Sequence, residues 1–201
     1  GYASAYSWNG TTWSLLDVKI EGEDGSSTGN SVSLNTAGDR FAVGWESDDA
    51  GGARTVNKGM AQVYEYTDST WTQLGSDIVG EANGDSFGSD VIINGTGDRV
   101  LICSRSGGDN DGGYAKVYEY SGSSWSQLGT TFHGDSGGTL RYGDMNLTGD
   151  VVVVSDYNNA SNKGIAYVYQ YASSTWSLVG SALVGEAAGD KFGKDVALNT
   201  D

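Results

Sequence analysis

The sequence predicts an all-β fold of β-propeller-type repeats, in which each repeat is a four-stranded antiparallel blade. The first observation is a short aromatic motif that recurs as AQVYEY at 61–66, AKVYEY at 115–120, AYVYQY at 166–171 and, more loosely, ASAYSW at 3–8. The second is a tryptophan at a fixed distance after each copy, with a period of about 50 residues: Trp13, Trp71, Trp125 and Trp176. The third is a content of 32 glycines and no proline, so many tight turns must be set by Gly, Asn, Asp and Ser.

One complete repeat can be followed strand by strand from Phe87. A first strand at 87–94 and a second strand at 99–104 flank the turn 95–98, GTGD. The second strand is apolar at consecutive positions, which indicates burial on both faces. A polar loop at 105–113 leads to a third strand at 114–120 with the alternation of a half-buried strand. The turn 121–124 and a fourth strand at 125–134 complete the blade.

The same order recurs on both sides of this repeat. The chain is therefore predicted to be one repeat domain, 1–201, with three complete blades at 29–80, 81–134 and 135–185 and parts of a fourth. Residues 1–28 supply only a third and a fourth strand, and residues 186–201 only a first strand. We expect almost no helix. We also expect burial at two sets of equivalent positions: Tyr64, Tyr118 and Tyr169, and Val32, Val91 and Val196.

The charge of the chain excludes some classes of partner. The net charge is −15, so the chain has no basic surface for nucleic acid. The same charge disfavours docking on anionic lipid. No run of 18 apolar residues occurs, so membrane insertion is not expected. The charge is explained by solubility through self-repulsion, or by carboxylates that hold cations.

One extended pattern points to a family. Residues 84–100 and 117–129 follow GD-x-FG-x-x-V-x-x-N-x-x-GDR-V and then VYEY-x-x-S-x-W-x-QLG. This pattern resembles the FG-GAP-like repeats related to the integrin α-chain β-propeller. It recurs at 189–199 with 168–180, and more loosely at 29–40, so the resemblance covers essentially the whole chain. The resemblance implies an extracellular or cell-surface repeat protein.

Calcium is the one ion for which the sequence offers candidate ligands. Calcium-binding members of that family usually carry a D-x-D-x-D-G-type loop between the first and second strands, but here this connection spans only 94–98 or 35–39. The acidic loops follow the second strand instead. Their candidate ligands are Asp48, Asp49, Asp109, Asp111 and Asp156. The alternative is that these are solvated polar turns, since calcium needs six to eight oxygen ligands. No other cofactor is expected.

Catalysis has little support in the sequence. The only histidine, His133, stands where the other repeats have Val79 and Val184, which indicates an exposed strand end. The only cysteine, Cys103, lies in an apolar run and is expected to be buried. The carboxylate pairs at 81 with 85 and at 186 with 190 recur, whereas an active site needs one location. The sequence therefore predicts a protein that is not an enzyme.

Two groups of aromatic residues are distinguished by whether they repeat. The four repeated tryptophans are expected to pack between blades. The aromatic residues outside that repeated position are candidates for stacking on sugar rings: Trp8, Trp45, Tyr142 and Tyr157.

Four sequons of the N-x-S/T type are candidates for glycosylation. They lie at Asn9, Asn94, Asn146 and Asn159, all in predicted turns or at strand ends. Asn35 occupies the same turn as Asn94 and Asn146 but reads NTA, so it lacks the acceptor hydroxyl.

These features together predict a non-enzymatic extracellular structural glycoprotein that is a subunit of a larger surface or filamentous structure. A carbohydrate-binding or cell-adhesion module is the alternative. The expected partners are further copies of the chain or neighbouring domains of a longer chain, and glycans under the alternative. The incomplete fourth blade supports such pairing, because an unpaired strand edge is a template for strand addition.

Overall fold

The computed structural model describes residues 1–17, 19–22, 28–46, 58–108 and 111–199. Within these ranges the fold is all-β, with several small antiparallel sheets. The only helical turn among the described residues, α1 (Asn159–Asn162), contains residues with positive φ and is a left-handed turn rather than a regular helix. The expectation of almost no helix is confirmed. No helix among the described residues is long and apolar enough to cross a membrane.

Nineteen strands are present in the described ranges. The N-terminal strands are β1 (Tyr2–Ala3), β2 (Tyr6–Trp8), β3 (Trp13–Leu15) and β4 (Ile20–Glu21). The next five are β5 (Thr28–Leu34), β6 (Arg40–Trp45), β7 (Met60–Thr67), β8 (Thr70–Gln73) and β9 (Ile78–Val79). The following five are β10 (Phe87–Ile93), β11 (Arg99–Ser104), β12 (Tyr114–Tyr120), β13 (Trp125–Gln127) and β14 (Phe132–His133). The last five are β15 (Tyr142–Met145), β16 (Val151–Asp156), β17 (Ile165–Ala172), β18 (Thr175–Leu178) and β19 (Leu183–Val184).

Each complete repeat forms one five-stranded sheet, which we call sheet I (β5–β9), sheet II (β10–β14) and sheet III (β15–β19). The first four strands of each sheet pair in chain order, and the fifth returns to the third strand. The expected fourth strand is therefore wrong as a single element, because it is interrupted halfway. The interruption follows a residue that still donates its N–H to the third strand, such as Leu128 to Val117 O at 2.8 Å. Gly129 then adopts a φ of 74°, which turns the chain out of the ladder.

The second strand of each sheet forms the centre of the core. In β6, β11 and β16 every residue after the first is buried, as their consecutive apolar residues predict. Both faces are covered because the sheets stack side by side. Ile78 of sheet I packs in one cluster with Val91 and Ile102 of sheet II, and Phe132 of sheet II packs in another with Val152 of sheet III.

A tryptophan ties each sheet to the one before it. The indole Nε1 donates to a backbone carbonyl of the preceding unit: Trp71 to Leu16 (3.1 Å), Trp125 to Leu74 (2.7 Å) and Trp176 to Leu128 (2.8 Å). In sheets I and II the residue after that carbonyl is glycine. A Cβ at Gly75 would lie 2.9 Å from Trp125, and one at Gly129 would lie 2.5 Å from Trp176. We call the carbonyl and the following residue the indole seat. Packing of these repeated tryptophans between repeats is confirmed.

The free edges of the first strands are also joined between sheets. A side chain of one first strand accepts a backbone N–H of the next. The bonds run from Val91 N to Ser31 Oγ (3.1 Å), Ile93 N to Ser33 Oγ (3.1 Å), Gly143 N to Asp90 Oδ2 (3.1 Å) and Leu198 N to Asp144 Oδ2 (2.6 Å). These bonds satisfy ladder donors that have no strand partner on that side.

The turn between first and second strands is a repeated asparagine box. Asn94 Oδ1 accepts the backbone N–H of Asp98 (3.0 Å) and of Arg99 (2.9 Å), and its Nδ2 donates to Asp98 Oδ1 (2.8 Å). Asn35 and Asn146 make the same three bonds in their own turns. All three asparagines are buried.

The two ends of the stack are only partly covered. Strands β1 to β4 form two two-stranded sheets against sheet I, whose residues Phe41 and Trp71 cluster with Ala3 and Ile20. The first strand expected at 192–199 is wrong as a ladder strand, because none of the described residues offers it a strand partner. This segment still takes the place of a first strand, since Leu198 bonds to Asp144 as Ile93 does to Ser33.

Burial at the expected equivalent positions depends on where each sheet stands in the stack. Val91 is 2% exposed, whereas Val32 is 58% exposed and borders a cavity that is also lined by Tyr2 and Ala3 of β1. The prediction of a buried Val32 is therefore wrong. Val196 is half-buried. Tyr64 is buried, and Tyr118 and Tyr169 are half-buried.

Replacing Trp71 tests the packing between units. The ring is 6% exposed and meets Phe41 edge-on at 4.6 Å between centroids. Trp71→Ala should lower the free energy of unfolding by about 3–5 kcal/mol, as for other large buried aromatics. Chemical denaturation measures this. Trp8→Ala is the matched control, because Trp8 is 52% exposed, and an equal loss in both variants would contradict the packing described.

Replacing Asn94 tests the turn. Asn94→Ala leaves two backbone N–H groups without their acceptor, so the free energy of unfolding should fall by about 1–3 kcal/mol. Asn83→Ala, at an exposed loop position, should change it by less than about 0.5 kcal/mol. Equal denaturation midpoints for the two variants would show that the turn contributes nothing.

Candidate functional site

The three second strands end side by side at one end of the stack, which we call the loop end. The residues that follow them are equivalent in the repeat: Glu46, Arg105 and Tyr157. Arg105 Nε lies 3.8 Å from Glu46 Oε2, so adjacent sheets are linked here by an ion pair. The Glu46 side chain is 12% exposed and that of Arg105 is 38% exposed. No described residue donates a hydrogen bond to Glu46 Oε2.

A second cation emerges at the same end. Arg141 directly precedes β15, and its Nε is buried without a hydrogen-bond acceptor among the described residues. Strands β11 and β15 approach each other where a Cβ on Gly143 would lie 3.5 Å from the Cys103 sulfur. Arg105 and Arg141 stand two residues from that contact, each toward the loop end. Arg105 and Arg141 therefore stand at the same end of neighbouring sheets.

Two tyrosines complete this group. The Arg141 guanidinium lies 5.5 Å from the ring centroid of Tyr142, and Tyr142 lies 5.8 Å from Tyr157. Both rings are half-buried. We call the group Glu46, Arg105, Arg141, Tyr142 and Tyr157 the loop-end cluster. It combines a carboxylate, two cations and two aromatic faces.

A cleft opens beside the loop-end cluster. It measures about 400 Å³ and is lined by residues 82–85 and 106–108 with Asp111. Ser106, which lines this cleft, follows Arg105 directly in the chain. A volume of this size suits a small ligand.

Of the predicted sugar-stacking residues, the structure brings only Tyr142 and Tyr157 together. Trp45 is 4% exposed and cannot present a face to a ligand. Trp8 packs on Trp13 with centroids 5.3 Å apart. The same pairing joins Tyr66 to Trp71, so Trp8 belongs to the repeated framework that it was expected to lie outside.

The predicted calcium ligands fall into two groups. Asp48, Asp49 and Asp109 lie outside the described residues. Asp111 is exposed in a turn. No group of three or more His, Cys, Asp or Glu side chains that could hold a metal ion occurs within the described ranges. Calcium binding stays a prediction.

Asp156 has a local role in the loop that follows β16. Its Oδ1 accepts the N–H groups of Asn158 (2.9 Å) and Asn159 (3.1 Å), which fixes the start of this loop. Its Oδ2 is buried, with no hydrogen-bond partner among the described residues. Burial raises the pKa of the Asp156 carboxyl, and the nearby Asp135 carboxylate also raises it.

The sequons divide by accessibility. Asn9 is exposed and Asn159 is half-buried, with Nδ2 donating to Thr12 Oγ1 and Asp135 Oδ2 respectively. Asn94 and Asn146 are buried, and the Nδ2 that would carry a glycan donates within the turn. The geometry therefore disfavours glycosylation at Asn94 and Asn146 in the folded chain. Modification of Asn9 and Asn159 stays a prediction.

His133 is an exposed strand-end residue and Cys103 is fully buried, as the sequence predicts. Burial raises the pKa of the Cys103 thiol well above its ordinary value, so this sulfur is no nucleophile. Arg105 and Arg141 were not predicted from the sequence. One signal in the sequence could have identified Arg105. The residue after the second strand is Glu46, Arg105 or Tyr157 in the three repeats, so its chemical type varies although the strand before it is repeated.

Comparison with known proteins places the fold but not the family. No family model and no curated protein matches the chain. A structure from Bacteroides uniformis assigned as a 6-phosphogluconolactonase matches with a TM-score of 0.65, 10% identity and coverage of 92% of this chain and 49% of its own. Kluyveromyces lactis Hsv2 matches with a TM-score of 0.52 and 14% identity, and the match covers 82% of this chain and 42% of the Hsv2 chain. A second Kluyveromyces lactis structure, Hsv2 with complete loop 6CD, matches with a TM-score of 0.53 and 15% identity, and the match covers 84% of this chain and 42% of that one. The chain thus spans about half the length of the structures it matches, and the fold is β-propeller-like.

Three expectations are corrected by these comparisons. The resemblance to FG-GAP-like and integrin α-chain repeats is wrong, since no family model matches and the similar structures are of other proteins. The interpretation as an extracellular structural glycoprotein, with an adhesion module as its alternative, was based on the repeats, the sequons, the lack of histidine chemistry and the incomplete blade. Both this interpretation and the expectation that the chain is not an enzyme are corrected, because a similar propeller-like structure is assigned as an enzyme.

Titration of Asp156 gives a test with a defined sign. Because its pKa is raised in the folded chain, its contribution to stability falls as pH rises from the unfolded value of about 3.9 through the folded pKa. Asp156→Asn should therefore remove a loss of stability on raising the pH above about 4. Urea denaturation across this range measures the slope.

Asp150→Asn is the control with the opposite sign. Hydrogen bonds from Thr148 and Asn146 lower the pKa of Asp150. Its contribution is present above about pH 3.9 and is lost as the pH falls through the folded pKa. Asp150→Asn should therefore flatten the acid side of the profile. A wild-type slope retained in both variants would contradict the two assignments.

Proposed function

We propose that sheets I, II and III are three blades of a β-propeller, flanked by parts of a fourth, and that the loop-end cluster binds a small anionic substrate and hydrolyses it. The observation that carries the proposal is the set of charges at the loop end without hydrogen-bond partners among the described residues. Glu46 Oε2 lacks a donor and Arg141 Nε lacks an acceptor. Such buried groups cost about 1–3 kcal/mol each, and a role in binding gives a reason for keeping them.

A lactone that carries a phosphate or carboxylate is the substrate class that fits this set. Guanidinium groups recognise such anions through paired N–H donors, and Arg141 has an unused one. The rings of Tyr142 and Tyr157 offer flat surfaces for the apolar face of a sugar-derived ring. The likeness to a structure assigned as a 6-phosphogluconolactonase supports testing this class first.

The chemistry assigned to the cluster is ester hydrolysis by water. Glu46 takes a proton from a water molecule as that water adds to the lactone carbonyl carbon. Arg105 stabilises the negative charge that develops on the carbonyl oxygen. The tetrahedral intermediate collapses, the ring C–O bond breaks, and the proton held by Glu46 passes to the departing oxygen. The product is the open hydroxy acid.

The first experiment measures hydrolysis of 6-phosphogluconolactone above the spontaneous rate. The wild-type chain should accelerate product formation, and Glu46→Gln should lower kcat by about 10²–10⁴-fold, the usual contribution of a general base. Glu21→Gln is the matched control, because Glu21 is exposed on β4. A wild-type rate equal to the blank, or equal rates for both variants, would refute the catalytic assignment.

Binding can be measured separately from turnover. Excess 6-phosphogluconate should raise the melting temperature of the wild-type chain through binding to the folded state. Arg141→Gln should abolish that shift, whereas Arg99→Gln should keep it, because Arg99 lies at the opposite end and pairs with Glu119. An unchanged melting temperature in the wild type would overturn the anion site.

A further inference from the structure

The two outer faces of the stack carry the same kinds of residue that pack against each other at the interfaces inside it. Within the chain this interface occurs three times, each with a tryptophan on one side and an indole seat on the other. The N-terminal face ends in the tryptophan Trp13, which is 67% exposed. The C-terminal face ends in the seat Val179–Gly180. Val179 is 48% exposed, and no described atom lies within 4 Å of a Cβ placed on Gly180.

Apolar residues around the seat show the same pattern. Ile78 and Phe132, which stand opposite alanines of the third strand, are 5% and 4% exposed because the next sheet covers them. Leu183 stands opposite Ala166 at the equivalent position and is 52% exposed. The residue is apolar in all three sheets although only two of them have a neighbour on that side.

The N-terminal face is apolar in the same way. Val32 and Leu34 are 58% and 57% exposed, whereas their equivalents Val91 and Ile93 are 2% and 5% exposed. Tyr6, the counterpart of Tyr64, is 52% exposed. Each face thus carries residues of the kind that form the interfaces inside the chain, and no described residue covers them.

We propose that a second copy of this chain docks head to tail on these faces, with Trp13 of one copy on the Val179–Gly180 seat of the other. Heterologous faces of this kind close into a ring when the rotation permits. The chain covers 49% of the Bacteroides uniformis structure, so two copies would match a ring of that length. The proposal is independent of the function assigned to the loop-end cluster.

Charge gives the association a recognisable signature. Two copies with a net charge of −15 each repel one another, and the contact itself is apolar. Added salt screens the repulsion. Association should therefore strengthen with ionic strength, whereas a contact based on ion pairs would weaken.

Sedimentation equilibrium of the full chain at low and high salt tests the proposal. The wild type should be dimeric, and Trp13→Ala and Leu183→Asp should each shift it to monomer. Leu147→Asp is the matched control, because Leu147 is a 42% exposed leucine at the end of the stack opposite the loop end, and it should remain dimeric. A wild type that stays monomeric at its highest soluble concentration would overturn the proposal, as would dimers unchanged by both face variants.

Mixing the two face variants separates head-to-tail docking from symmetric face-to-face docking. Trp13→Ala keeps an intact seat and Leu183→Asp keeps an intact tryptophan, so a mixture can form one complete contact. The mixture should recover part of the dimer that neither variant forms alone. A mixture that behaves as the sum of its two monomers would contradict the head-to-tail arrangement. Circular dichroism of each variant establishes that it is folded.

Discussion

The stack depends on the hydrogen bond from an indole of one sheet to a carbonyl of the sheet before it. Single sheets of this kind expose apolar residues on both faces, so each needs a neighbour on either side. The indole sets the spacing, because Nε1 must reach the carbonyl of Leu16, Leu74 or Leu128 while the ring covers the seat. At the first seat the role of glycine is taken by Asp17, which has a φ of 63° and accepts the backbone N–H of Trp71. The contact therefore tolerates a change of residue as long as the backbone keeps its left-handed turn.

Much of the fold could be predicted from the sequence because the same pattern of apolar strands and polar turns occurs in each repeat. The bounds of β11 and β12 agree with the prediction, since hydrophobic periodicity and flanking turns coincide there. The split of the fourth strand was missed, although glycine and polar residues stand where the chain leaves the ladder, GSD at 75–77 and GTT at 129–131. The exposure of Val32 was missed for a different reason. The alternation of apolar and polar residues in a strand indicates which face of the strand is apolar. It does not indicate whether another sheet lies against that face.

The candidate site was harder to predict, and the cause lies in the same repetition. A repeated residue such as Asn94 serves the framework, although its NGT sequence also reads as a sequon. The loop-end cluster depends on positions that differ between repeats, and a single sequence gives such differences no structural meaning. Arg105 becomes informative only when the structure shows Glu46 beside it and Arg141 at the same end. The charge of these residues was visible in the sequence, but their shared location was not.

The stacking of sheets side by side has a consequence for how the molecule opens. In such quasi-one-dimensional arrays, stability is close to a sum of unit and nearest-neighbour terms, and unfolding can begin at either end. Sheet II is the only complete sheet covered on both sides by complete sheets, through the clusters that contain Ile102 and Phe132. Its amide hydrogens are expected to exchange with solvent most slowly, and those of β2, β3 and β19 most rapidly. Local opening would thus be rarest in sheet II and more frequent toward both ends of the stack. Arg105 directly follows β11 of this most protected sheet.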